Sequence, residues 1–267
     1  MNPNVRTGFV TQQGMAFDEA VEAADHFGFD FVELMLDGAG ARSRLDPASV
    51  RNAVDAVNTD RPAGRALSVL AHLPFGGFDL GSPHERVREG TVRELEAYLD
   101  LAADIGVEKA VVHPDSHAWG AAWDRSTVRE GVVESVRTLD AYAADRDVEL
   151  CAENVPYSVF RTHEFDRLLA DTEVSMTLDT GHARMDGRDS GGIASFVADH
   201  GERISHVHLN DTRGSKDEHL PFGAGTIDFE QVFEAFPAEW DGTLSLEVYT
   251  LNYDYVGTSK ERLDELL

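Results

Sequence analysis

Acidic and imidazole side chains recur at the ends of short apolar runs in this chain. Glu153, Asp179, His208 and Glu247 all lie at or near such ends. If they were buried together, the three carboxylates would repel one another and lose hydration unless a cation neutralised them. Three oxygen donors and one nitrogen suit Mn²⁺, Mg²⁺, Co²⁺ or Zn²⁺, with coordination positions left open. The pattern therefore predicts a divalent-metal site.

Further side chains could extend this site into a larger metal cluster. They are His72, His113, His182, Asp217 and His219. Two of them end apolar runs, one follows Asp179 by three residues, and the last two lie in a glycine-containing segment. Additional imidazole ligands would favour Zn²⁺. For the Asp-x-His pair in the loop, substrate hydrogen bonding or simple solvation is the alternative.

The elements that must position these residues alternate along the chain. Stretches of helical period separate eight short apolar segments, at 5–10, 30–34, 66–72, 109–114, 148–153, 174–179, 204–209 and 244–249. Near-continuous apolar runs are typical of parallel strands covered on both faces. Eight βα units predict an α/β fold, a (β/α)8 TIM barrel, with residues 1–267 as one domain. The rival, a doubly wound sheet, normally has fewer strands and a phosphate-loop signature that this chain lacks.

Capping residues predict where several helices begin and end. Asp46 followed by Pro47 is a typical N-cap and first helical residue. Ser82 and Pro83 indicate the start of a long helix, and Gly106 indicates its end. In a barrel, the active site lies at the carboxyl ends of the strands. The predicted ligands should therefore converge on one mouth.

The charge balance is strongly acidic. The chain has 267 residues, of which 49 are acidic and 23 basic, and its net charge is −26. The acids are spread along the whole chain, and such a surface repels itself unless salt screens it. We expect a halophilic protein of a high-salt cytoplasm, with an acidic mesophile as the alternative. The excess of acidic residues disfavours a general polyanion binder, and therefore nucleic acid as a partner.

Membrane and disulfide classes are also disfavoured. No apolar run approaches the roughly 18 residues that a membrane helix needs. The start "MNPNVRTGFV" lacks the basic and apolar regions of a leader peptide. A single cysteine, Cys151, excludes an internal disulfide and is expected to be a buried, inert thiol. The sequence leaves a homo-oligomer open.

Four motifs resemble those of a known superfamily. "AEN", "LDTGH", "HVHLND" and "DEHLPFGAGTID" are similar to motifs of the xylose isomerase-like TIM barrels, and the resemblance covers essentially the whole chain. That superfamily includes sugar-phosphate isomerase/epimerases, ketose 3-epimerases, inosose dehydratases and zinc AP endonucleases. The resemblance implies a divalent-metal-dependent isomerase or epimerase that acts on a sugar or sugar phosphate through an enediolate.

The resemblance also implies roles for individual residues. Glu153 and Glu247 would bind the metal and act as the acid/base pair, while Asp179 and His208 would complete the metal shell. Arg213 stands near the position of a substrate-binding arginine in some epimerases, although the spacing is not a clean match. The side chains implied or considered as substrate contacts are His72, His113, His182 and Arg213.

Two other activities of the superfamily stay open. Zinc AP endonucleases share these ligands and bind a third metal at positions that match His182, Asp217 and His219. However, the segments "ENVPYSVFRTHEF" and "HLPFGGFDLG" differ from the corresponding loops of those endonucleases. Arg42 and Arg44 are the only close basic pair near the mouth. An inosose dehydratase-like lyase is the other alternative. We therefore expect a small sugar as the partner.

Overall fold

Eight parallel strands close on themselves in sequence order in the computed structural model, which describes residues 2–12, 14–62, 64–250 and 252–267. The first strand pairs with the last in parallel, so the barrel has no open edge. The predicted (β/α)8 fold is confirmed. The strands are β1 Arg6–Val10, β2 Phe31–Met35, β3 Ser68–His72, β4 Lys109–Val112, β5 Glu149–Glu153, β6 Ser175–Asp179, β7 Ile204–Leu209 and β8 Thr243–Leu246.

Helices of the described chain surround the barrel. They are α1 Phe17–His26, α2 Pro47–Asn58, α3 Glu85–Ile105, α4 Arg125–Ala144, α5 Phe165–Asp171, α6 Thr180–Met185, α7 Ser190–His200, α8 Phe229–Phe233 and α9 Tyr253–Asp264. Buried apolar side chains of strands and helices form a continuous core, which includes Val32, Leu99 and Leu139. Within the described ranges, none of these helices combines the length and apolarity that crossing a bilayer requires.

The predicted start of the long helix was two residues early. Helix α3 begins at Glu85, because the Ser82 hydroxyl accepts the backbone N–H of His84 at 3.4 Å and holds Ser82 and Pro83 in a turn. Its end at Gly106 is confirmed, with a φ of 90° that favours glycine. Asp46 caps α2 as predicted, accepting the backbone N–H of Ala48 at 3.2 Å.

Two strands also end earlier than predicted, β4 by two residues and β8 by three. Strand β4 ends at Val112, because the carbonyl of His113 accepts the N–H of Asp115 at 2.9 Å in a tight turn. Strand β8 ends at Leu246, and the carbonyl of Glu247 then accepts a ring N–H from His219. His113 and Glu247 therefore follow their strands directly instead of lying within them.

A register shift between β6 and β7 aligns two predicted metal ligands. Met176 pairs with Ile204, but the next residue of β6 pairs with His206, so that Asp179 lies beside His208. This register shift is a β-bulge. Without it Asp179 would pair with Val207, since a slip of one residue reverses which side chains face inward. The extra residue is Ser205, whose carbonyl accepts the Lys109 ammonium at 2.8 Å.

Candidate metal centre and substrate cavity

The four predicted metal ligands converge at the barrel mouth. Ligand atoms of Glu153, Asp179, His208 and Glu247 all lie within 4.8 Å of one another. Nδ1 of His208 is 3.4 Å from Oε2 of Glu153 and 3.3 Å from Oε2 of Glu247. These three buried atoms have no hydrogen-bond partner in the described chain, although they face one another across a small gap.

That arrangement fits a divalent cation. A buried polar atom without a partner is destabilising, and three at one point need a common explanation. Two ligands that each lie about 2.1 Å from one ion are about 3.0 Å apart at a right angle and about 3.4 Å apart at a tetrahedral angle. The separations of 3.3 and 3.4 Å fall in this range. These residues therefore suit an ion with mixed oxygen and nitrogen ligands.

Asp179 is held in place by the side-chain amides of Asn154 and Asn210. Its Oδ2 accepts from the side chain of Asn210 at 2.7 Å, and its backbone N–H donates to Asn154 at 2.8 Å. Burial raises the pKa of Asp179 to about 7; the nearby His182 ring opposes this rise, and the carboxylates of Glu247 and Glu153 add to it. A bound cation would relieve this crowding of acids.

A buried chain of polar groups supports His208 from below. Glu33 lies at the centre of β2 and accepts from Nε2 of His208 at 2.9 Å and from Nε2 of His206 at 3.1 Å. Nδ1 of His206 lies 2.7 Å from the hydroxyl of Thr243. Because a carboxylate only accepts, both Nε2 atoms carry hydrogen, and Nδ1 of His208 is left to face the metal-ligand set.

His206 was not identified from the sequence as part of this support, although Glu33 was considered as a supporting residue. His206 and His208 are two residues apart on one strand, so both point into the barrel, and this alternation was the available signal. Burial alone would raise the pKa of Glu33. The two rings together have the larger effect and hold this pKa well below its usual range. The same carboxylate, with Glu247 and Glu153, raises the pKa of His208 well above its ordinary value despite burial.

Replacing Glu33 with glutamine is expected to weaken Mn²⁺ binding by about 10- to 100-fold, the usual effect of losing a supporting hydrogen-bond partner of a ligand. The dissociation constant can be measured by isothermal titration calorimetry. Glu149→Gln is a matched control, because Glu149 lies at the opposite end of β5 and contacts Ser175 at 2.6 Å. Unchanged affinity in a folded Glu33→Gln protein would refute the supporting role.

His72 and His113 approach the same carboxylate from one side. Their Nε2 atoms lie 3.4 and 3.2 Å from Oε2 of Glu153. Nδ1 of His72 faces the carbonyl of Leu73 at 2.9 Å, so that nitrogen carries the hydrogen. Burial lowers the pKa of His113 in spite of the adjacent Glu153, which favours a neutral ring. Both rings are placed to bind a second ion or a substrate oxygen.

The loop pair folds back over the mouth. Asp217 bridges two rings, with Oδ2 at 3.3 Å from Nε2 of His182 and Oδ1 at 3.0 Å from Nε2 of His219. The left-handed backbone of His219, with a φ of 44°, turns this segment toward the barrel. Burial lowers the pKa of His219, but Glu247 and Asp217 raise it to about 10. The pair therefore lies beside His182, where the sequence placed it.

Arg213 is not brought into this group. Its Nη1 donates to Oε1 of Glu218 at 2.7 Å, and 61% of its side chain is exposed. The ion pair holds the guanidinium on the outside of the loop.

The free thiol of Cys151 is buried, as expected. Burial raises the pKa of this thiol, so it is inert.

A cavity of about 250 Å³ opens above the cluster. Its polar lining includes Asp115, His117 and side chains already described: His72, His113, Glu153, His182, Asp217, His219 and Glu247. Phe75 stacks on His113 with ring centroids 4.4 Å apart and also lines the cavity. The space is large enough for a small polar molecule that reaches the carboxylates directly.

The closed (β/α)8 barrel, with its acids and imidazoles gathered at the carboxyl ends of the strands, has the architecture of a barrel enzyme. More specifically, the chain belongs to the xylose isomerase-like TIM barrel family, whose model matches residues 21–266.

Several proteins that are similar to this chain have named activities. L-ribulose-5-phosphate 3-epimerase UlaE of Escherichia coli is 26% identical over 229 residues, covering 83% of this chain and 78% of that protein. A D-tagatose 3-epimerase-like protein matches with a TM-score of 0.79 and 24% identity, over 98% of this chain and 97% of the other. D-allulose 3-epimerase from Methylomonas sp., solved with D-allulose, matches with a TM-score of 0.81 and 17% identity, over 98% and 97%.

Proposed function

We propose that the protein is a divalent-metal-dependent isomerase or epimerase of a sugar or sugar phosphate. The observation that carries the proposal is the pair of carboxylates, Glu153 and Glu247, whose unpartnered Oε2 atoms face one shared gap beside His208. Such a pair can hold one ion and exchange protons on a substrate between them. The names of the relatives, which are ketose 3-epimerases, support the same reaction class.

The proposed chemistry divides between the ion and the side chains. When bound, a divalent ion supplies positive charge that stabilises the two adjacent oxygens of an enediolate. One glutamate removes the proton from the carbon next to the carbonyl, and the other returns a proton. Return to the opposite face gives an epimer, whereas return to the neighbouring carbon gives an isomer.

Proximity must compensate for weak basicity. Burial alone would raise the pKa of Glu153. The nearby His208 and His113 rings have the larger effect and hold this pKa well below its usual range. This carboxylate is therefore ionised and ready to accept a proton, yet it is a feeble base at neutral pH. Holding the substrate carbon directly against it in the cavity supplies much of the missing driving force.

The decisive experiment is a deuterium wash-out assay on protein whose metal content has been quantified. Ketoses and their phosphates, labelled at C1 or C3, are incubated with the protein loaded with Mn²⁺ or Zn²⁺. We expect loss of label from C3 if the enzyme is a 3-epimerase and from C1 if it is an isomerase. Retention of both labels would reject the proposal, and elimination of water would indicate an inosose dehydratase-like lyase.

A zinc AP endonuclease is the second candidate. The observation that favours it is the group His182, Asp217 and His219, whose ligand atoms lie within 4.8 Å of one another and suit a further ion. Three zinc ions per chain, together with nicking of abasic duplex DNA, would establish this activity and reject the sugar reaction. The net charge of −26 weighs against a polyanionic substrate.

The same charge supports a halophilic protein in a high-salt cytoplasm. Purification and assays therefore belong in concentrated KCl, where screening reduces repulsion between surface acids. A homo-oligomer stays a proposal, which size-exclusion chromatography with light scattering in the same salt would test.

A further inference from the structure

We propose that the cavity takes an unphosphorylated ketose and discriminates against its phosphate ester. This inference rests on the proposed epimerase or isomerase function and narrows its substrate class. The part of the cavity that the metal-ligand residues do not line would receive the rest of the substrate. A phosphate dianion would have to give up hydration there, and it can do so only where cations or N–H donors replace the water.

The remaining wall offers little to an anion. It is largely apolar, with Phe75, Phe78, Leu80 and Leu95 among its side chains, and its ionisable members are Asp115 and a single imidazole, His117. Among the described residues, no lysine or arginine lines this cavity. A bound ketose would meet ring faces and methyl groups, whereas a phosphate on the same carbon chain would meet the Asp115 carboxylate.

A neighbouring cavity on the other side of Glu247 has the same character. It shares Met35, His219 and Glu247 with the first, and its other lining residues are uncharged. A substrate that extended past Glu247 in this direction would again find no lysine or arginine in the described lining. Among the residues that the structure describes, both routes therefore lack a lysine or arginine for phosphate, and the imidazole of His219, which lines both cavities, is already paired with Asp217 at 3.0 Å.

The glycine loop that could serve as an anion nest is already filled from within. In many barrels, backbone N–H groups of the loops after strands seven and eight bind phosphate. Here the buried carboxylate of Asp211 accepts from Thr212 N–H at 2.9 Å, Gly225 N–H at 2.7 Å and Ile227 N–H at 3.1 Å. A Cβ on Gly225 would lie 2.3 Å from the same carboxylate. The chain's own anion therefore occupies these donors.

Cations near the mouth are engaged elsewhere or lie off the cavity wall. The Arg213 guanidinium is paired with Glu218. Nε of Arg184 donates to the Thr226 hydroxyl at 3.2 Å. Lys216, next to Asp217 in the chain, is exposed and does not line either cavity. Recruiting any of them would require the loop to rearrange.

The test compares matched pairs of substrates on one Mn²⁺-loaded protein in one salt. The pairs are L-ribulose with L-ribulose 5-phosphate, D-tagatose with D-tagatose 6-phosphate, and D-fructose with D-fructose 6-phosphate. For the best ketose, we expect kcat/KM for label exchange to exceed that of its ester by at least about a hundredfold, since an unpaired charge at an apolar wall is strongly unfavourable. An ester that reacts as well as its ketose, or better, overturns the inference and leaves the isomerase or epimerase function standing.

Binding separates failure of the inference from failure of the function. If no compound loses label, the proposed reaction is rejected, and calorimetric titration of the same pairs decides the substrate class. Tighter binding of a free ketose than of its ester supports the inference. Tighter binding of an ester, or no binding of any free ketose, overturns it.

Charge variants identify the cause of discrimination. Asp115→Lys places a cation on the cavity wall, and we expect the ester-to-ketose ratio of kcat/KM to rise at least about tenfold. Lys216→Ala is the control, because this exposed ammonium lies off the wall and its loss should leave the ratio unchanged. A ratio that stays fixed in a folded Asp115→Lys protein, or that falls in Lys216→Ala, would contradict the assignment.

Discussion

Replacing either Glu153 or Glu247 with glutamine is expected to lower ketose turnover at least about a hundredfold, the usual scale for losing an acid/base group. Glutamine has nearly the same shape as glutamate, so the barrel should remain folded. It cannot accept a proton from carbon at neutral pH. Turnover is measured with saturating Mn²⁺, and circular dichroism checks the fold. Near-normal turnover in either variant would reject the proton-transfer role of that residue.

A glutamine variant would also bind metal less well, so the proton role needs its own readout. If each glutamate serves one face of the substrate, each variant should abolish label exchange from one epimer while exchange from the other epimer persists. Loss of both exchanges in parallel would indicate weakened metal binding alone. Glu149→Gln is the matched control on the same strand as Glu153, and it should behave like the unmodified protein because its carboxylate lies at the far end of the barrel.

The hydrophobic pattern was sufficient to predict the barrel and to locate the candidate ligands at its strand ends. Apolar runs ending in Glu153, Asp179 and His208 are visible in the sequence, and parallel strands must place such ends at one mouth. What could not be predicted was the alignment between strands. The bulge between Met176 and Thr177 depends on the pairing of β6 with β7, and no local pattern records it.

Contacts between distant segments account for the other differences. Glu33 and His206 are 173 residues apart, and only closure of the barrel brings the carboxylate to the ring. Arg213 resembled a substrate contact by position, but a loop conformation pairs it with Glu218. In each instance the decisive partner lies on another segment or in a loop, where side-chain direction is not set by a simple period.

Removing the metal is expected to abolish turnover and to lower the melting temperature in the same titration. An ion present at about 100 times its dissociation constant stabilises the folded state by about 2.7 kcal/mol. For a chain of this size, that corresponds to a shift of about 5–10 °C. A chelator such as EDTA should produce the shift, added Mn²⁺ should reverse it, and both changes should follow the same metal concentration.

Asp179→Asn ties these effects to the proposed centre. The substitution keeps the side chain's shape but removes one carboxylate from the buried set, so the metal-dependent shift in melting temperature should largely disappear. The control is Glu218→Gln, which removes a surface carboxylate paired with Arg213 and should retain the full shift. A shift of normal size in Asp179→Asn would place the stabilising ion elsewhere.

The metal-free protein should nevertheless stay folded, because imidazoles offset the buried acids. The pKa values of His208 and His182 lie well above the ordinary range, against the effect of burial, since the surrounding carboxylates favour their charged forms. Protonated rings can therefore balance part of the negative charge that an ion would otherwise neutralise. Chelation should then remove activity completely while removing only part of the stability. Unfolding of the barrel on chelation would show instead that the ion is a structural requirement.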